Sequence, residues 1–419
     1  MTAPEVPTVT SLEILPIYNQ SENRPKPNAP LATDLRGMQD NQTYYLAGTR
    51  TTLGNAIEVQ GATGADKSAT GRTDQSIPAT GFAAYTGEQV SPAFTMQQMR
   101  AARWHDAGDD SKGVVLGDHS YGGQEILAYD VTRTDKFIGR NMIFAMNESK
   151  RVGDLMGITV TMPYVFLFQG TQAKDTPGAQ YRAEFDLVHG QFLAGTASAF
   201  PTPPRLVTVI NGADVNTFSD TYDTPGAQYE LTRDYGGIIA TWQRDFLISD
   251  ANIHTSTSTQ ALEGEIAERA IAEVEAGNPW NITYSVVKSG ATVTVTFDLR
   301  PGETLMELAD MFDDFGGAST CPHFGFEADG GITAASWSGN AVTLTLTNPS
   351  ATWLRLAHQV QNVSAMTSNT GDTMSAHRST LFGSHTWPSQ IVSGAVLRRP
   401  VPGFRGTFSG DTFARESFA

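Results

Sequence analysis

Short, uninterrupted apolar runs set the rhythm of the first two-thirds of the chain. Glu13-Ile-Leu-Pro-Ile-Tyr18 is followed at once by the polar Asn19-Gln20-Ser21-Glu22-Asn23, the pattern of a buried strand that ends in an exposed turn. Gly113–Asp118 predicts a second buried strand, ahead of a small turn at Gly122-Gly123. Thr159–Phe168 predicts a third, ending at Gln169-Gly170, and Arg205–Ile210 a fourth. Helical spacing lies between and after these runs. A helix begins at Met96 and reaches Trp104, and Tyr181–Leu193 carries Phe185, Val188, His189 and Phe192 on one stripe. In Thr259–Val274, Leu262, Ile266, Ala270 and Ile271 share a face, which assigns Glu263 and Glu265 to the exposed side. Residues from about 24 to 90, rich in Pro, Gly, Asn and Thr, read as long loops laid on this scaffold. Strands alternating with helices predict an α/β domain with a parallel sheet, whose ligand lies beyond the carboxyl ends of the strands.

After Gly277-Asn-Pro279 the period changes to two. Ile282–Val287 and Thr292–Phe297 alternate across a Ser289-Gly290 turn, and Val342–Thr347 follows Ser338-Gly-Asn340 in the same style. The chain therefore divides into an α/β domain (1–277), an all-β sandwich or jelly roll (278–401) and a Gly- and Phe-rich tail (402–419) expected as an arm that packs on a neighbour. One heptapeptide occurs twice, Asp175-Thr-Pro-Gly-Ala-Gln-Tyr181 and Asp223-Thr-Pro-Gly-Ala-Gln-Tyr229, each readable as a turn feeding a helix.

Charge narrows the classes of partner. With 28 basic and 44 acidic side chains the net charge is −16, which argues against nucleic acid and against an anionic membrane surface. A lone cysteine, Cys321, leaves no disulfide framework and no multi-cysteine zinc site. Cys321-Pro-His323 lacks a second ligand pair, and Asp310, Asp313 and Asp314 lack the calcium-loop spacing, so no metal and no cofactor is expected. The amino terminus has neither the basic start nor the apolar core of a signal peptide, and no run is long enough to span a membrane. These features predict synthesis in the cytoplasm.

The candidate chemistry is nucleophilic. Ser21 stands just past a buried strand and His254 lies near the end of the α/β domain. A serine on a tight turn, a histidine in reach and an acid to orient the ring make a hydrolytic triad. Around them, Ile14-Leu-Pro-Ile-Tyr-Asn-Gln-Ser21-Glu-Asn resembles the first block of the SGNH hydrolases, in particular their sialate O-acetylesterase-like branch. Ser120-Tyr-Gly-Gly-Gln124 looks like the second block, Phe166-Leu-Phe-Gln169-Gly170-Thr171 like the third, and Ile253-His254 with Leu262-Glu-Gly-Glu265 like the last. Gly325-Phe-Glu-Ala-Asp-Gly-Gly-Ile and Trp337-Ser-Gly-Asn340 are similar to the β-sandwich appended to such esterases, including those of phage tail spikes.

The resemblance implies a three-layer α/β/α domain. Ser21 is then the nucleophile and His254 the base, with the Ser21 N–H, Gly122, Gly123 and Gln169 holding the oxyanion. Gln20, Thr171, Asn252 and Tyr121 would line the substrate. Departures from the pattern are Asn19 for glycine, Glu22 for asparagine and Thr171 for glutamate. The orienting acid normally stands two or three positions before the histidine, where this chain has Asn252 and Ala251, so Asp250 is the candidate acid. Two functions follow as expectations. One is a carbohydrate O-acetylesterase on the surface of a phage-like particle or gene transfer agent, acting on host capsular polysaccharide and working as a homo-oligomer among other particle proteins. The other is an inactive relative that serves as a glycan-binding or structural spike subunit. Aromatic residues available for stacking on sugars are Tyr18, Tyr121, Trp104, His385 and Trp387, each equally readable as core or rim.

Overall fold

The computed structural model describes residues 9–19, 26–27, 43–47, 81–84, 89–118, 125–169, 173, 176–211, 223–242, 247–250, 254–255, 257–308, 321–357, 366–367, 373–374 and 379–418. Its centre is an eight-stranded sheet. In chain order the strands are β1 (Ser11–Asn19), β2 (Thr43–Ala47), β3 (Gly81–Ala84), β4 (Lys112–Asp118), β5 (Thr159–Thr161), β6 (Tyr164–Phe168), β7 (Arg205–Ile210) and β8 (Ile238–Trp242). They lie in the order β8-β7-β6-β1-β4-β2-β3, with β5 also on β1, and all pairings are parallel except β2 with β3. The five core strands thus run 4-1-6-7-8 by label. The chain moves from β1 to one side, then crosses to the other, so the topological reversal falls between β1 and β6.

The apolar runs become strands because both faces of the sheet are covered, so alternation is not required. On one side Leu15, Ile17, Val114, Phe166 and Val207 pack under α1 (Pro92–Asp106) and α5 (Thr257–Glu275). On the other, Ile14, Tyr18, Val115, Val165 and Leu167 pack under α2 (Ile138–Met156), α3 (Gly178–Thr196) and α4 (Asp223–Asp234). Ser91 caps α1, its hydroxyl accepting the Phe94 N–H at 3.2 Å, and Pro92 supplies the first-turn φ. Gly157 closes α2 in the left-handed region at φ 71°.

Within the α/β region the sequence expectations need four revisions. Thr159–Phe168 is two strands, because Met162-Pro163 interrupts the ladder where proline has no N–H to donate. Residues 43–47 and 81–84, expected in loops, extend the sheet; Thr43-Tyr-Tyr-Leu-Ala47 has the aromatic and β-branched content of a strand. Helix α2 and strand β8 carried no sequence expectation at all. Glu263 and Glu265 are buried, at 0% and 3% exposure, because α1 packs across the face of α5 that was read as solvated.

Beyond α5 the chain is β-rich. Strands β11 (Thr283–Ser289), β12 (Thr292–Asp298), β15 (Ile332–Ser338) and β16 (Ala341–Leu346) form one antiparallel sheet. A second contains β14 (Phe326–Ala328), β17 (Trp353–Leu356), β20 (Phe404–Ser409) and β21 (Thr412–Arg415). Their inward residues, among them Val293, Val295, Leu344, Leu354 and Phe404, join in one apolar cluster. The third sheet, β13 (Leu305–Glu307), β18 (Leu381–Pro388) and β19 (Val396–Pro400), places Phe382 and Leu397 in the cluster under α5. The segment after Pro402 is not an arm toward a neighbour. It forms β20 and β21, and Phe418 packs so closely on α3 that a Cβ on Gly178 would meet its ring at 2.1 Å. The architecture is an α/β region followed by a β-rich region. Among the described residues, no helix is long and apolar enough to cross a membrane.

Candidate active site

Three of the four sequence blocks leave the carboxyl ends of three adjacent strands. Asn19, the last residue of β1, is in register with Phe168, the last of β6, while Ile17 is in register with Asp118, the last of β4. Ser21 follows Asn19 by two residues, a tether of at most about 7 Å of extended chain. Gln20, Ser21, Tyr121, Gly122, Gly123, Thr171 and Asn252 lie outside the described residues, so only their points of departure are fixed.

The fourth block arrives from the far side of the sheet. Two strands, β9 (Leu247–Asp250) and β10 (His254–Thr255), pair antiparallel with Asp250 in register with His254, the ladder slipping by one residue between Ile248 and Asp250. Helix α5 begins at Thr257 and packs along β8 and β7. His254 therefore immediately precedes the helix that closes the α/β region.

Gln169 is the one proposed oxyanion donor among the described residues, and it is buried at 1% exposure. The Tyr181 hydroxyl donates to its Oε1 at 3.0 Å. Gln228 Nε2 donates to the Gln169 backbone carbonyl and lies 3.0 Å from the Tyr181 hydroxyl, while Gln228 Oε1 accepts the Asn211 N–H at 2.8 Å. With Oε1 tied to a tyrosine, Nε2 is the donating end of the Gln169 amide. Burial pushes the Tyr181 hydroxyl well above its ordinary pKa, which keeps it a neutral donor.

Sequence reasoning missed the partners of Gln169, although the signal was present. Tyr181 ends the first copy of the heptapeptide and Gln228 is the sixth residue of the second. Both copies open a helix, and the helices lie side by side with the Gly178 N–H donating to Asp223 Oδ2 at 3.1 Å. The copies have different tasks. Gln180 is exposed and donates to Glu184, whereas Gln228 is buried on Gln169; Tyr229 packs against Trp242, whereas Tyr181 bonds Gln169.

A second buried pair sits beneath the same strand end. Tyr18, next to last in β1, is 3.2 Å from His189 Nδ1, and burial lowers the His189 pKa to about 4, so the ring is neutral. This removes Tyr18 from the aromatic residues available to a sugar. Trp104 is also buried, with the Arg100 guanidinium 4.9 Å from its ring centre, and Trp387 rests on Trp280. The largest charge cluster is Arg100 with Glu13, Glu268 and Glu275, joined by Arg103. Glu13 is near the amino end of β1, so this cluster braces α1 and α5 at the opposite end of the sheet from Ser21. Glu265 accepts hydrogen bonds from the Ser389 hydroxyl at 2.5 Å and the Gln390 N–H at 2.6 Å, tying α5 to the β-rich region. Among the described residues, no three His, Cys, Asp or Glu side chains come together to hold a metal ion.

No protein-family model matches the sequence, and no curated protein matches it. Among solved structures it is similar to a carbohydrate acetylesterase from Xanthomonas citri, with 13% identity and a TM-score of 0.57. The match covers 94% of this chain and 80% of that one, so it cannot stop at the end of the α/β region. At that identity the likeness is one of fold.

Proposed function

We propose that the chain is a serine ester hydrolase that removes O-acetyl groups from carbohydrate. Ser21 Oγ attacks the acetyl carbonyl carbon while His254 takes its proton; the tetrahedral oxyanion rests on the Ser21 N–H, the Gly122-Gly123 turn and Gln169 Nε2. Collapse breaks the ester bond, and the sugar oxygen leaves with the proton from His254. Water, deprotonated by His254, then attacks the acetyl-serine; the acetyl–Oγ bond breaks, Ser21 Oγ takes the proton back from His254, and acetate is released. Asp250 is the acid that orients the ring, a role supported by its backbone register with His254 on the paired strand.

The observation that carries this reading is the convergence of the blocks at the topological reversal. The segments bearing Ser21, Gly122-Gly123 and Gln169 all issue from the carboxyl ends of neighbouring strands, where open α/β sheets bind their ligands. The buried brace on Gln169 adds to it, since an oxyanion donor works only when its orientation is settled before the reaction. The fold shared with a carbohydrate acetylesterase points the same way. On the sequence resemblance alone, we extend the proposal to the setting: an oligomer on a phage-like particle, acting on host surface polysaccharide beside other particle proteins.

Acetate release from para-nitrophenyl acetate and from acetylated polysaccharide tests the proposal. Wild type releases acetate and Ser21→Ala loses at least ~10³-fold in rate, the scale of a lost nucleophile. Absence of release by wild type on every acetylated substrate overturns it. The substitutions Asn19, Glu22 and Thr171 favour the second reading, a binding-only relative. That reading requires polysaccharide binding that persists in Ser21→Ala without any turnover by wild type.

A further inference from the structure

The outer face of the sheet β14-β17-β20-β21 is laid out by its register. Glu327 is opposite Arg355, Arg355 is opposite Arg405, and the Glu416 N–H donates to the Arg405 carbonyl at 2.9 Å. A line of charges crosses the sheet in the order acid, base, base, acid. Arg355 pairs with Glu327 at 3.2 Å, and Arg405 pairs with Glu416 and, at 2.8 Å, with Asp223 of α4. The neighbouring row is Trp353, Thr407 and Ala414, an indole beside two small side chains. The Arg355 guanidinium lies 4.2 Å from the Trp353 ring centre and holds the indole in place.

Two cavities lie end to end along this face. One of about 460 Å³ beside His323 and one of about 430 Å³ over Thr407 share Trp353 and Arg355 as their common wall. The second extends to Arg405, whose guanidinium pairs with Asp223 of the α/β region.

We propose that this pair of cavities is a groove for a linear, uncharged oligosaccharide, separate from the Ser21 site. Its length fits a polymer that occupies successive cavities, not a single small molecule. Arg355, Arg405 and Arg415 each face a carboxylate, the last one Glu230 at 2.6 Å. No excess positive charge is left for a polyanion, which the net charge of −16 also repels. What remains is a set of planar donors and acceptors, side by side and immobilised by one another. Neighbouring sugar hydroxyls, which donate and accept at once, match that arrangement. Trp353 supplies flat apolar surface for the C–H faces of the rings. The groove needs no ester chemistry, so it stands independently of the function proposed above.

Calorimetric titration with neutral hexasaccharides of β-linked glucose, xylose, mannose and N-acetylglucosamine, beside an oligogalacturonate, tests the groove. At least one neutral hexasaccharide binds, with an affinity that is unchanged between ~0.1 and ~0.5 M salt. Trp353→Ala weakens that binding at least ~10-fold. Ala414→Trp does the same by filling an exposed position, which keeps the test valid should Trp353→Ala fold poorly. Both variants retain wild-type acetate release from para-nitrophenyl acetate, which separates failure of the groove from failure of the esterase. The proposal is overturned by binding of no neutral hexasaccharide, by binding of the oligogalacturonate alone, or by undiminished binding in both variants. A concentration-dependent dimer that Ala414→Trp abolishes overturns it as well, because the occupant is then a second copy of the chain.

Discussion

Tyr18 and His189 are a polar pair sealed into the layer beneath the end of β1, with Phe185, Phe192 and Tyr235 around them. The histidine was legible as a stripe residue of a helix, yet its partner was not, because Tyr18 is 171 residues away in sequence. Burial disfavours the imidazolium, so the folded pKa is about 4 against 6.5 when exposed. Between those values the unfolded chain binds the extra proton. The contribution of His189 is therefore complete above pH 6.5 and declines as the pH falls toward 4, by about 3 kcal/mol in total. His189→Gln removes that titration. In urea unfolding followed across this range, wild type is expected to lose about 3 kcal/mol relative to the variant; parallel curves would show that the ring is solvated. Gln169 teaches a related lesson. Its position after β6 was readable from the apolar run, while the orientation of its amide depends on Tyr181 and Gln228 from two other elements.

Helices α1 and α5 show how one residue sets the relation of two elements. A Cβ on Gly264 would stand 2.4 Å from the Pro92 carbonyl oxygen and 2.6 Å from Thr95 Cβ. The glycine in Leu262-Glu-Gly-Glu265 is thus a helix-contact glycine, and the close approach it permits buries Glu263 and Glu265. Periodicity alone assigned those glutamates to solvent because it records which face is apolar, not which face is covered. Gly264→Ala forces the helices apart at a backbone atom that has no rotamer to yield. It is expected to destabilise the chain by about 2 kcal/mol, read as a lower Tm with the secondary-structure signal retained at low temperature. An unchanged Tm would place the crossing elsewhere.

At the scale of the whole molecule, the carboxyl-terminal segment locks the two regions together. Phe418 packs on Gly178, its N–H donates to Glu230 Oε2 at 2.8 Å, and Arg405 reaches Asp223. Both acids lie on α4, opened by the second heptapeptide, so the repeat also supplies the seat for the tail. Phe418→Ala leaves a void at this junction and is expected to cost about 3 kcal/mol. In chemical denaturation the α/β signal should then move to lower denaturant ahead of the β-rich one. Equal shifts in both would mean that the junction does not couple them.

The sequence alone determined the alternation of buried strands and helices, the change to period two after residue 278, and the buried strand that ends two residues before Ser21. These follow from local rules, since an apolar run or a two-residue period needs no knowledge of its neighbours. Only tertiary structure decided the strand order, and with it the topological reversal between β1 and β6. It alone paired Asp250 with His254 in register, folded the tail back onto α3 and α4, and set a row of ion-paired arginines along one sheet face. Each of these depends on contacts between residues distant in the chain, whose partners no local pattern specifies.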